Sequence, residues 1–232
     1  MSDQFNGFPA AGLQFLADLE GNNEKAWFEA HKDVYQSALL EPAVEFVTAV
    51  GERLQFISNQ IQYDTRTNGS GSLMRIYRDT RFSKDKTPYK TAVAGMWWQG
   101  AGKKTEVPAF GFQVTKNGMG LMAGMFGFGK EQLAVYREAV LDETLGKELV
   151  EVVTAVTANG QHEILGEHYK KVPRGFDADH ERADYLKFNH LYAHPKTAVS
   201  ASVVTSPELV DVCMTHFEQM APIQQWLVKA LN

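Results

Sequence analysis

The sequence contains one cysteine, Cys213, and lacks a long apolar run. A single thiol cannot form an intramolecular disulfide, and this favours a reducing compartment such as the cytoplasm. No apolar block follows a basic start near Met1, so the sequence predicts no signal peptide. Uncharged stretches such as residues 117–129 are interrupted by glycines, whereas a transmembrane helix needs about 20 apolar residues. We therefore expect a cytoplasmic protein with no membrane partner.

The sequence also lacks internal repeats, low-complexity tracts and an evident linker. Hydrophobic residues make up 44% of it and charged residues 22%, a balance that is typical of folded globular proteins and excludes disorder as the main state. A chain of 232 residues fits one large domain or two small ones. Because no boundary is visible, we predict a single α+β domain over residues 1–232.

Positive charge is scarce overall and concentrated in one place. The chain has 23 Lys and Arg residues against 28 Asp and Glu residues, a net charge of −5. Residues 75–90, here called the cationic segment, hold six basic and two acidic residues, which leaves a net charge of −9 on the rest of the chain. A general nucleic-acid binder spreads basic charge over a broad face. We therefore expect no nucleic-acid partner, and duplex DNA binding no tighter than about 10 μM at physiological salt.

Hydrophobic periodicity predicts helices at both ends of the chain and strands in the middle. Asn22 or Asn23 is expected to cap the second helix. The predicted helices cover residues 9–21, 22–35, 42–57 and 130–159 and a last segment from Pro207 onwards, with a bend or restart at Pro222. The predicted strands cover residues 73–78, 91–99, 108–115 and 118–126, with further candidates at 191–193 and 199–204.

Short turns connect the predicted strands. Asn117-Gly118 is a hairpin signal, because both residues accept the positive φ angles that a tight turn needs. Consecutive strands joined in this way form an antiparallel meander. Helices, then strands, then helices indicate an α+β fold rather than an alternating α/β one. The predicted fold is therefore an antiparallel β-meander packed with N-terminal and C-terminal helices.

The cationic segment is the strongest candidate for a site. If residues 73–78 form a strand, Arg75 and Arg78 point to opposite faces, and the more buried guanidinium needs an oxyanion or carbonyl oxygens nearby. Three arginines at three-residue spacing can converge in the loop that follows and grip a phosphate, a nucleotide or a carboxylate. The expected partner is thus a small anionic ligand. The residues predicted to bind it are Arg75, Arg78, Arg81, Lys86, Tyr89 and Lys90.

Two classes of function are compatible with this segment. In an enzyme that acts on a small anionic metabolite, the cations would neutralise the substrate, and Asp79 or Asp85 would act as a base or orient an arginine. In a non-catalytic interaction module, the cations would pair with Asp79, Asp85 and other acidic residues or dock on an acidic partner. No cofactor is predicted, and the sequence does not specify a reaction or an oligomeric state.

The segment RIYRDTRFSKDKTPYKT, residues 75–91, resembles the signature of a bacterial family of conserved hypothetical proteins called domain of unknown function 2461. The resemblance extends to FNGFPAAGLQFLADLEGNNEKAWFEAHKDVY at residues 5–35 and to VPRGFDADHERADYLKFNHLY at residues 172–192. It implies a single compact domain in the cytoplasm. It implies no particular activity.

Two further motifs are weaker candidates. Gly124 to Lys130 has the G-x-x-x-x-G-K spacing of a phosphate-binding loop, but Glu131 stands where a Ser or Thr should hold Mg²⁺, so a strand end followed by a helix cap is favoured. A metal site in the later part of the chain would lack a complete ligand set, and Asp177 or Asp179 more simply caps a helix through Tyr185 and Phe188. The residues of this possible metal group are Asp177, Asp179, His180, His190 and His194.

The remaining reactive or aromatic residues favour structural roles. Cys213 lies on an apolar helix stripe, where a free cysteine acts as a small hydrophobe. Ser70 and Ser72 lack the G-x-S-x-G frame of a nucleophilic serine. The aromatic residues of the strands are expected in the core, except that one of the adjacent Trp97 and Trp98 must face outwards and could line a pocket.

Overall fold

The computed structural model describes residues 5–231. Residue contacts divide the chain into two compact units. The first comprises the described residues up to Trp97, together with Gly111–Leu121 and Ala198–Thr215. The second comprises Trp98–Phe110, Met122–Thr197 and the described residues from His216 onwards. That residues 1–232 form a single domain stays a prediction.

The N-terminal part of the chain is helical, as predicted. Helix α1 spans Ala10–Gly21 and begins directly after Pro9, whose fixed φ angle suits a helix start. The elements that follow are α2 (Lys25–Ala30), α3 (Lys32–Tyr35), a π-helical turn (Gln36–Leu40) and α4 (Glu41–Leu54). The apolar side chains of α4 at Val47, Val50 and Leu54 are fully buried, which confirms the predicted stripe over that part of the helix.

The predicted cap of the second helix is wrong. Helix α2 begins after Glu24, and Asn22 instead follows the end of α1. The Asn23 side chain pairs with the backbone of Tyr89, donating from its amide to the Tyr89 carbonyl at 2.9 Å and accepting from the Tyr89 N–H at 3.0 Å. The side chain is therefore used to fix the end of the cationic segment beside α2 rather than to cap the helix.

The prediction of a strand at residues 73–78 is also wrong. Only two isolated bridges form there, Leu73 with Gly95 and Tyr77 with Tyr89. The backbone N–H of Met74 donates to the carbonyl of Ala94 and that of Arg78 to the carbonyl of Pro88, each at 2.8 Å, so the segment divides its pairing between residues 94–95 and its own returning end. Pro88 has no N–H to donate and cannot continue a ladder, which explains why no regular strand forms.

In the described part of the chain, the sheet has seven strands in the order β1-β2-β3-β4-β6-β5, with β7 beside β4. Its middle strands β2 to β4 are consecutive neighbours, which confirms the predicted meander. Gly118 begins β4 with φ of 142°, a conformation that favours glycine and so supports the predicted hairpin at Asn117-Gly118. The strands are β1 (Ile61–Gln62), β2 (Val93–Gln99), β3 (Ala109–Thr115), β4 (Gly118–Met125), β5 (His162–Glu167), β6 (Phe188–Pro195) and β7 (Val199–Ser200).

The later strands pair antiparallel with one another. In the register of β4 and β6, Ala123 lies opposite Ala193. In that of β5 and β6, Glu163 lies opposite His194. Residues 162–167 were not predicted as a strand, because their sequence shows no clear alternation of apolar and polar side chains.

The helices after the hairpin match the predicted α+β order, with three corrections. Phe188 starts β6 instead of ending a helix. Residues 201–204 are helical and not a strand, because the Ser200 side chain caps them by accepting from the N–H of Val203. Pro222 lies within a continuous helix and does not restart it. The helices are α5 (Lys130–Leu141), α6 (Leu145–Thr157), a 3₁₀ turn (Ala183–Lys187), α7 (Ala201–Val204) and α8 (Leu209–Leu231).

Each unit has an aromatic core. In the first, Phe46 packs edge-on against Phe112 with ring centroids 5.0 Å apart, and Trp97 is fully buried with its indole N–H donating to the carbonyl of Val47 at 2.8 Å. In the second, Tyr136 stacks on Phe128 at 4.6 Å. Each buried aromatic ring contributes about 1.5–3 kcal/mol through removal of apolar surface from water. Within residues 5–231, no helix is both long and apolar enough to cross a membrane.

Candidate functional site

The loop of the cationic segment, residues 78–87, is held together by its own ion pairs. The guanidinium of Arg78 donates to the carboxylate of Asp85 and to the hydroxyl of Thr87. It also donates to the backbone carbonyl of Thr87 at 3.2 Å. The Arg78 side chain is only 26% exposed. Backbone donation from Thr87, followed by the Arg78 guanidinium and the Thr87 hydroxyl, lowers the pKa of Asp85 to about 2. Asp85 is therefore ionised at neutral pH and a poor proton acceptor.

The second pair on this loop lies in solvent. The Arg81 guanidinium makes two bonds to the carboxylate of Asp79, at 2.9 and 2.6 Å, and both side chains are more than half exposed. The Arg81 side chain and then its backbone N–H lower the pKa of Asp79. Lys86 donates to the carbonyl of Thr80 at 2.8 Å. Asp79 and Asp85 thus lie where they orient arginines, which is one of the two roles considered for them.

The start of the cationic segment lines a different feature, here called the Arg75 cavity. This cavity has a volume of about 240 Å³ and lies within the first unit. Its floor is apolar and includes Phe28, which is 1% exposed, and Ile76, which is 5% exposed. Two cationic side chains, Arg75 and Lys32, line it, and no carboxylate does so among the described residues.

Arg75 differs from its neighbours in having no local counterion. Within residues 5–231, its guanidinium forms no ion pair with any carboxylate and no hydrogen bond, although its carbonyl accepts from Lys90 at 2.8 Å. Lys32 has one partner, Glu29, at the long distance of 3.6 Å. A guanidinium presents a planar fork of donors that matches a carboxylate or phosphate. The Arg75 cavity therefore offers unused positive charge and directional donors.

Two phenols complete the wall of the Arg75 cavity. Burial, together with the nearby Tyr77, raises the pKa of Tyr35 to about 12, so its hydroxyl is protonated at neutral pH and available as a donor. Tyr77 is 54% exposed at the cavity, although its ring lies 6.5 Å from that of Phe28. The Tyr35 ring lies 5.3 Å from that of Phe28. The cavity thus combines an apolar floor with cations and neutral hydroxyl groups.

A second opening, here called the Lys90 groove, lies on the other side of the segment. Its volume is about 490 Å³, and the predicted ligand residues Arg78, Tyr89 and Lys90 line it. Glu20 and Asp85 line it as well, so its cations face carboxylates. Burial, followed by repulsion from Arg75, lowers the pKa of Lys90.

The structure does not bring the six predicted ligand residues to one place. Arg75 lines the Arg75 cavity. The Lys90 groove is lined by Arg78, Tyr89 and Lys90. Arg81 and Lys86 lie on the exposed loop. Sequence reasoning missed Lys32 and Tyr35, which reach the cavity from α3. The sequence feature that could have identified these two residues is the helical spacing of Phe28, Lys32 and Tyr35, which places them on one face of neighbouring helical turns.

The possible metal group is dispersed. Asp177 accepts from the backbone of Asp179 at 2.9 Å, and His180 accepts from the backbone of Arg182 at 3.0 Å. His190 bonds to Asn189, and His194 lies 3.0 Å from the carboxylate of Glu163. The predicted cap at Asp177 or Asp179 is wrong, because the 3₁₀ turn begins after Arg182 and Phe188 already belongs to β6. Over residues 5–231, no three His, Cys, Asp or Glu side chains are grouped as metal ligands.

One group of histidines in the second unit was not predicted. His162 and His216 contact each other through ring nitrogens 3.0 Å apart, and His162 is fully buried. We call these two residues and the nearby His194 the imidazole cluster. Burial, followed by His216 and His194, lowers the pKa of His162, and burial lowers that of His216. The rings of His162 and His216 are therefore neutral at neutral pH. Sequence reasoning missed the cluster because it missed β5, which carries His162.

The remaining motifs have structural roles. Gly124 has φ of 139° and lies against the backbone of Leu191 on β6, so it serves the strand pairing. Gly129 precedes α5, and its N–H donates to the side chain of Gln132 at 3.0 Å instead of pointing to a phosphate. Cys213 is buried, and burial raises the pKa of its thiol. These contacts favour the strand end, helix cap and core roles over catalytic ones.

The two serines considered as nucleophiles belong to a turn. Ser70 donates to the side chain of Asn68 at 2.6 Å. Ser72 is fully buried, and its hydroxyl accepts from the backbone of Asp64 at 3.0 Å. Of the adjacent tryptophans, Trp97 is buried and Trp98 is partly exposed, as their alternation predicts.

Comparison with known protein families now adds to this geometry. A family model described as conserved hypothetical protein, domain of unknown function 2461, matches residues 11–226. The chain belongs to this family. The match includes the whole cationic segment and both openings beside it, and it confirms the resemblance drawn from the sequence. A search of curated proteins found no significant match. Domain of unknown function 2461 carries no assigned activity, so the function has to be argued from the site.

Proposed function

We propose that this protein binds a small anion that carries a carboxylate or phosphate group, with Arg75 as its main contact. One observation carries the proposal: two cationic side chains, Arg75 and Lys32, line a cavity that has no carboxylate among its described lining residues. Both side chains are exposed, so an anion can reach them, and within residues 5–231 the Arg75 guanidinium has no ion pair with a carboxylate. A bound anion supplies that ion pair.

The chemistry of the wall agrees with an anionic ligand. Arg75 offers a planar set of donors for two parallel bonds to one oxyanion. The neutral hydroxyl of Tyr35 adds a donor that introduces no negative charge at neutral pH. Lys32 adds positive charge at the rim, where its pairing with Glu29 at 3.6 Å is weak and exposed. The Lys90 groove is a poorer anion site, because Glu20 and Asp85 repel an anion there.

A second candidate function concerns the loop, residues 78–87. Arg78 and Arg81 each have a carboxylate partner on the loop itself, which favours the role of a structural ion-pair network for these two residues. A catalytic role for Asp79 or Asp85 is less favoured, because their lowered pKa values make them weak bases. We therefore assign ligand binding to the cavity and loop stabilisation to Arg78 and Arg81 within this proposal.

The proposal also covers the setting of the protein. The single cysteine supports a reducing compartment, so we propose a cytoplasmic location in a bacterium, as the family resemblance implies. The net charge of −9 outside the cationic segment supports the absence of a nucleic-acid partner. The ligand is a small molecule in this proposal, because the cavity has a volume of only about 240 Å³.

Thermal unfolding in the presence of anions tests the proposal. Acetate, phosphate and sulfate are titrated to millimolar concentrations at constant ionic strength, with sodium chloride as the balancing salt. The wild-type protein is expected to gain about 1.4 kcal/mol when one of these anions reaches ten times its Kd, as linkage requires. Arg75→Ala should lose this gain.

Arg81→Ala is the matched control, because it removes an arginine from the same segment outside the cavity. It should keep the stabilisation by the anion. The proposal is overturned if no anion stabilises the wild type beyond sodium chloride, or if Arg75→Ala and Arg81→Ala respond alike.

A further inference from the structure

We infer that the ligand of the Arg75 cavity is a small aromatic acid, that is, a carboxylate attached directly or through a short link to a single planar ring. This inference rests on the proposed function, because it takes the anion at Arg75 as given and specifies the rest of the molecule. Three observations carry it: the apolar floor, the size of the cavity and the half-exposed ring of Tyr77.

The floor of the cavity is suited to an apolar group. Phe28, Ile76 and Leu40 lie beneath the cationic rim, and the first two are almost completely buried. Ligand sites typically combine a mostly apolar lining with a few polar groups that fix orientation. An inorganic anion would leave the half-exposed ring of Tyr77 and the partly exposed side chain of Leu40 facing water. A ligand with an apolar body would cover the floor while its carboxylate reaches Arg75.

The volume limits that body to one ring. The cavity measures about 240 Å³. An engineered apolar cavity of about 150 Å³ holds a benzene molecule in another protein. The additional space accommodates a carboxylate and a short link, whereas drug-sized ligands occupy sites of about 300–1,000 Å³. A single-ring acid therefore fits, and a nucleotide with its base, sugar and phosphate is too large for the cavity alone.

The exposed aromatic ring of Tyr77 favours a planar ring in the ligand. Its side chain is 54% exposed, although it packs near other aromatic rings, with the Tyr89 ring at 5.4 Å and the Phe28 ring at 6.5 Å. The exposed half of a large aromatic side chain at a cavity offers a surface for stacked or edge-on contact with another ring. Tyr35 lies 5.3 Å from Phe28 and supplies a second aromatic wall. Three aromatic side chains, those of Phe28, Tyr35 and Tyr77, are thus among the described lining residues of the cavity.

The charges select an acid over a neutral aromatic compound. Arg75 and Lys32 line the cavity without a carboxylate among the described lining residues. The hydroxyl of Tyr35 is neutral at neutral pH and donates to a carboxylate without repelling it. An amine on the ring would meet the two cations and be repelled. The combination of cations at the rim and rings below therefore matches an aromatic carboxylate.

Calorimetric titration with four probes tests the inference: benzoate, phenylacetate, acetate and inorganic phosphate. Burial of the ring is expected to lower Kd for one of the two aromatic acids at least about tenfold relative to acetate. Tyr77→Ala should weaken the binding of the aromatic acids by a larger factor than that of acetate, and so remove most of that advantage. Arg75→Ala should abolish the binding of aromatic acids and of acetate.

Phe82→Ala is the matched control for loss of an aromatic side chain. Phe82 is 96% exposed on the loop, outside the cavity, so its removal should change no Kd. Tyr77→Leu serves as a second variant that keeps an apolar side chain, and melting temperatures of all variants establish that they are folded. Tyr77→Leu should retain part of the preference for the aromatic acids.

The outcomes separate the two proposals. If acetate or phosphate binds through Arg75 as tightly as both aromatic acids, the anion site stands and the inference is overturned. If the aromatic acids bind equally well to Arg75→Ala, the ring binds without the guanidinium and the inference is also overturned. If no probe binds in an Arg75-dependent way, the proposed function itself fails, and the inference fails with it.

Discussion

The cationic segment and the imidazole cluster both bring ionisable side chains close together, but they do so in opposite ways. On the loop of the cationic segment, Arg78 and Arg81 each contact a carboxylate that is ionised at neutral pH, so the charges attract. In the imidazole cluster, His162 and His216 lie 3.0 Å apart, and this arrangement is favourable only while at least one ring is neutral. The same proximity therefore stabilises one region through charge and makes the other sensitive to acid.

Arg75 follows neither pattern. It lies only three residues before Arg78, yet it has no carboxylate partner within residues 5–231. Arg78 is partly buried and depends on its counterion, whereas Arg75 is exposed and needs no counterion in the folded state. The difference between Arg75 and Arg78 thus separates a residue available to a ligand from one that serves the fold.

The largest expected effect tests this difference directly. Arg78→Ala removes bonds to Asp85 and Thr87 from a side chain that is 26% exposed, and we expect the free energy of unfolding to fall by about 1–2 kcal/mol. Arg75→Ala should leave it unchanged or raise it slightly, because residues that serve binding often reduce stability. Chemical denaturation of both variants and of the wild type measures the two changes.

Asp85→Asn is the companion variant for this comparison. It removes the charge that Arg78 faces while keeping a side chain of similar size. Asp85→Asn should lower the free energy of unfolding, as Arg78→Ala does. The variant that carries both substitutions should lose less unfolding free energy than the sum of the two single losses. Equal destabilisation by Arg75→Ala and Arg78→Ala would remove the distinction between ligand residue and structural residue.

The second effect concerns the imidazole cluster and pH. The pKa values of His162 and His216 are lowered in the folded protein, so the unfolded chain takes up protons first as the pH falls. The contribution of these rings to stability is complete above about pH 6.5 and is lost as the pH falls through their folded values. Unfolding free energy measured from about pH 7.5 to 5 should therefore decrease on acidification.

His216→Gln isolates this contribution. Glutamine keeps a hydrogen-bonding group beside His162 and removes one titrating ring, so the slope between about pH 7 and 5 should become shallower. His168→Gln is the control, because His168 is exposed outside the cluster. His194 has Glu163 at 3.0 Å and is left unchanged. An identical slope in the wild type and in His216→Gln would contradict the prediction.

The fold was largely predictable because it follows from hydrophobic periodicity and from the residues that start helices and form turns. Helix α1 after Pro9, the hairpin at Asn117-Gly118 and the meander of β2 to β4 each depend on local signals that the structure confirms. One error arose where a distant partner overrides the local signal. Asn23 looks like a helix cap but bonds to Tyr89, which is 66 residues away.

The candidate site was only partly predictable for the same reason. The sequence identifies Arg75 as a possible ligand residue from the density of positive charge, but it gives Arg75, Arg78 and Arg81 equal weight. Their difference depends on which cations find a carboxylate, and that is decided by the path of the loop. Lys32 and Tyr35 reach the cavity from a helix at least forty residues earlier, and no local pattern joins them to Arg75.

The third effect appears at low pH in the cationic segment. The pKa of Asp85 is lowered to about 2 by Thr87 and Arg78, so its contribution to stability is complete above the ordinary value of about 4 and is lost as the pH falls through about 2. Asp85→Asn should therefore show a smaller loss of melting temperature across this window than the wild type. Glu151→Gln, at an exposed position on α6, is the control and should follow the wild type. This window lies well below that of the histidines, so one acid titration resolves both regions.

The smallest effect is expected at the exposed pair of Arg81 and Asp79. Their contact has good geometry, with two bonds at 2.9 and 2.6 Å, but both side chains are more than half exposed. Water and salt screen such a pair, and holding two long side chains in one arrangement costs entropy. Arg81→Ala should therefore leave the melting temperature unchanged within error, at low salt and at physiological salt, when measured beside Arg78→Ala. A loss at Arg81 as large as that at Arg78 would mean that the whole loop acts as one network, and burial would no longer explain why the two arginines differ.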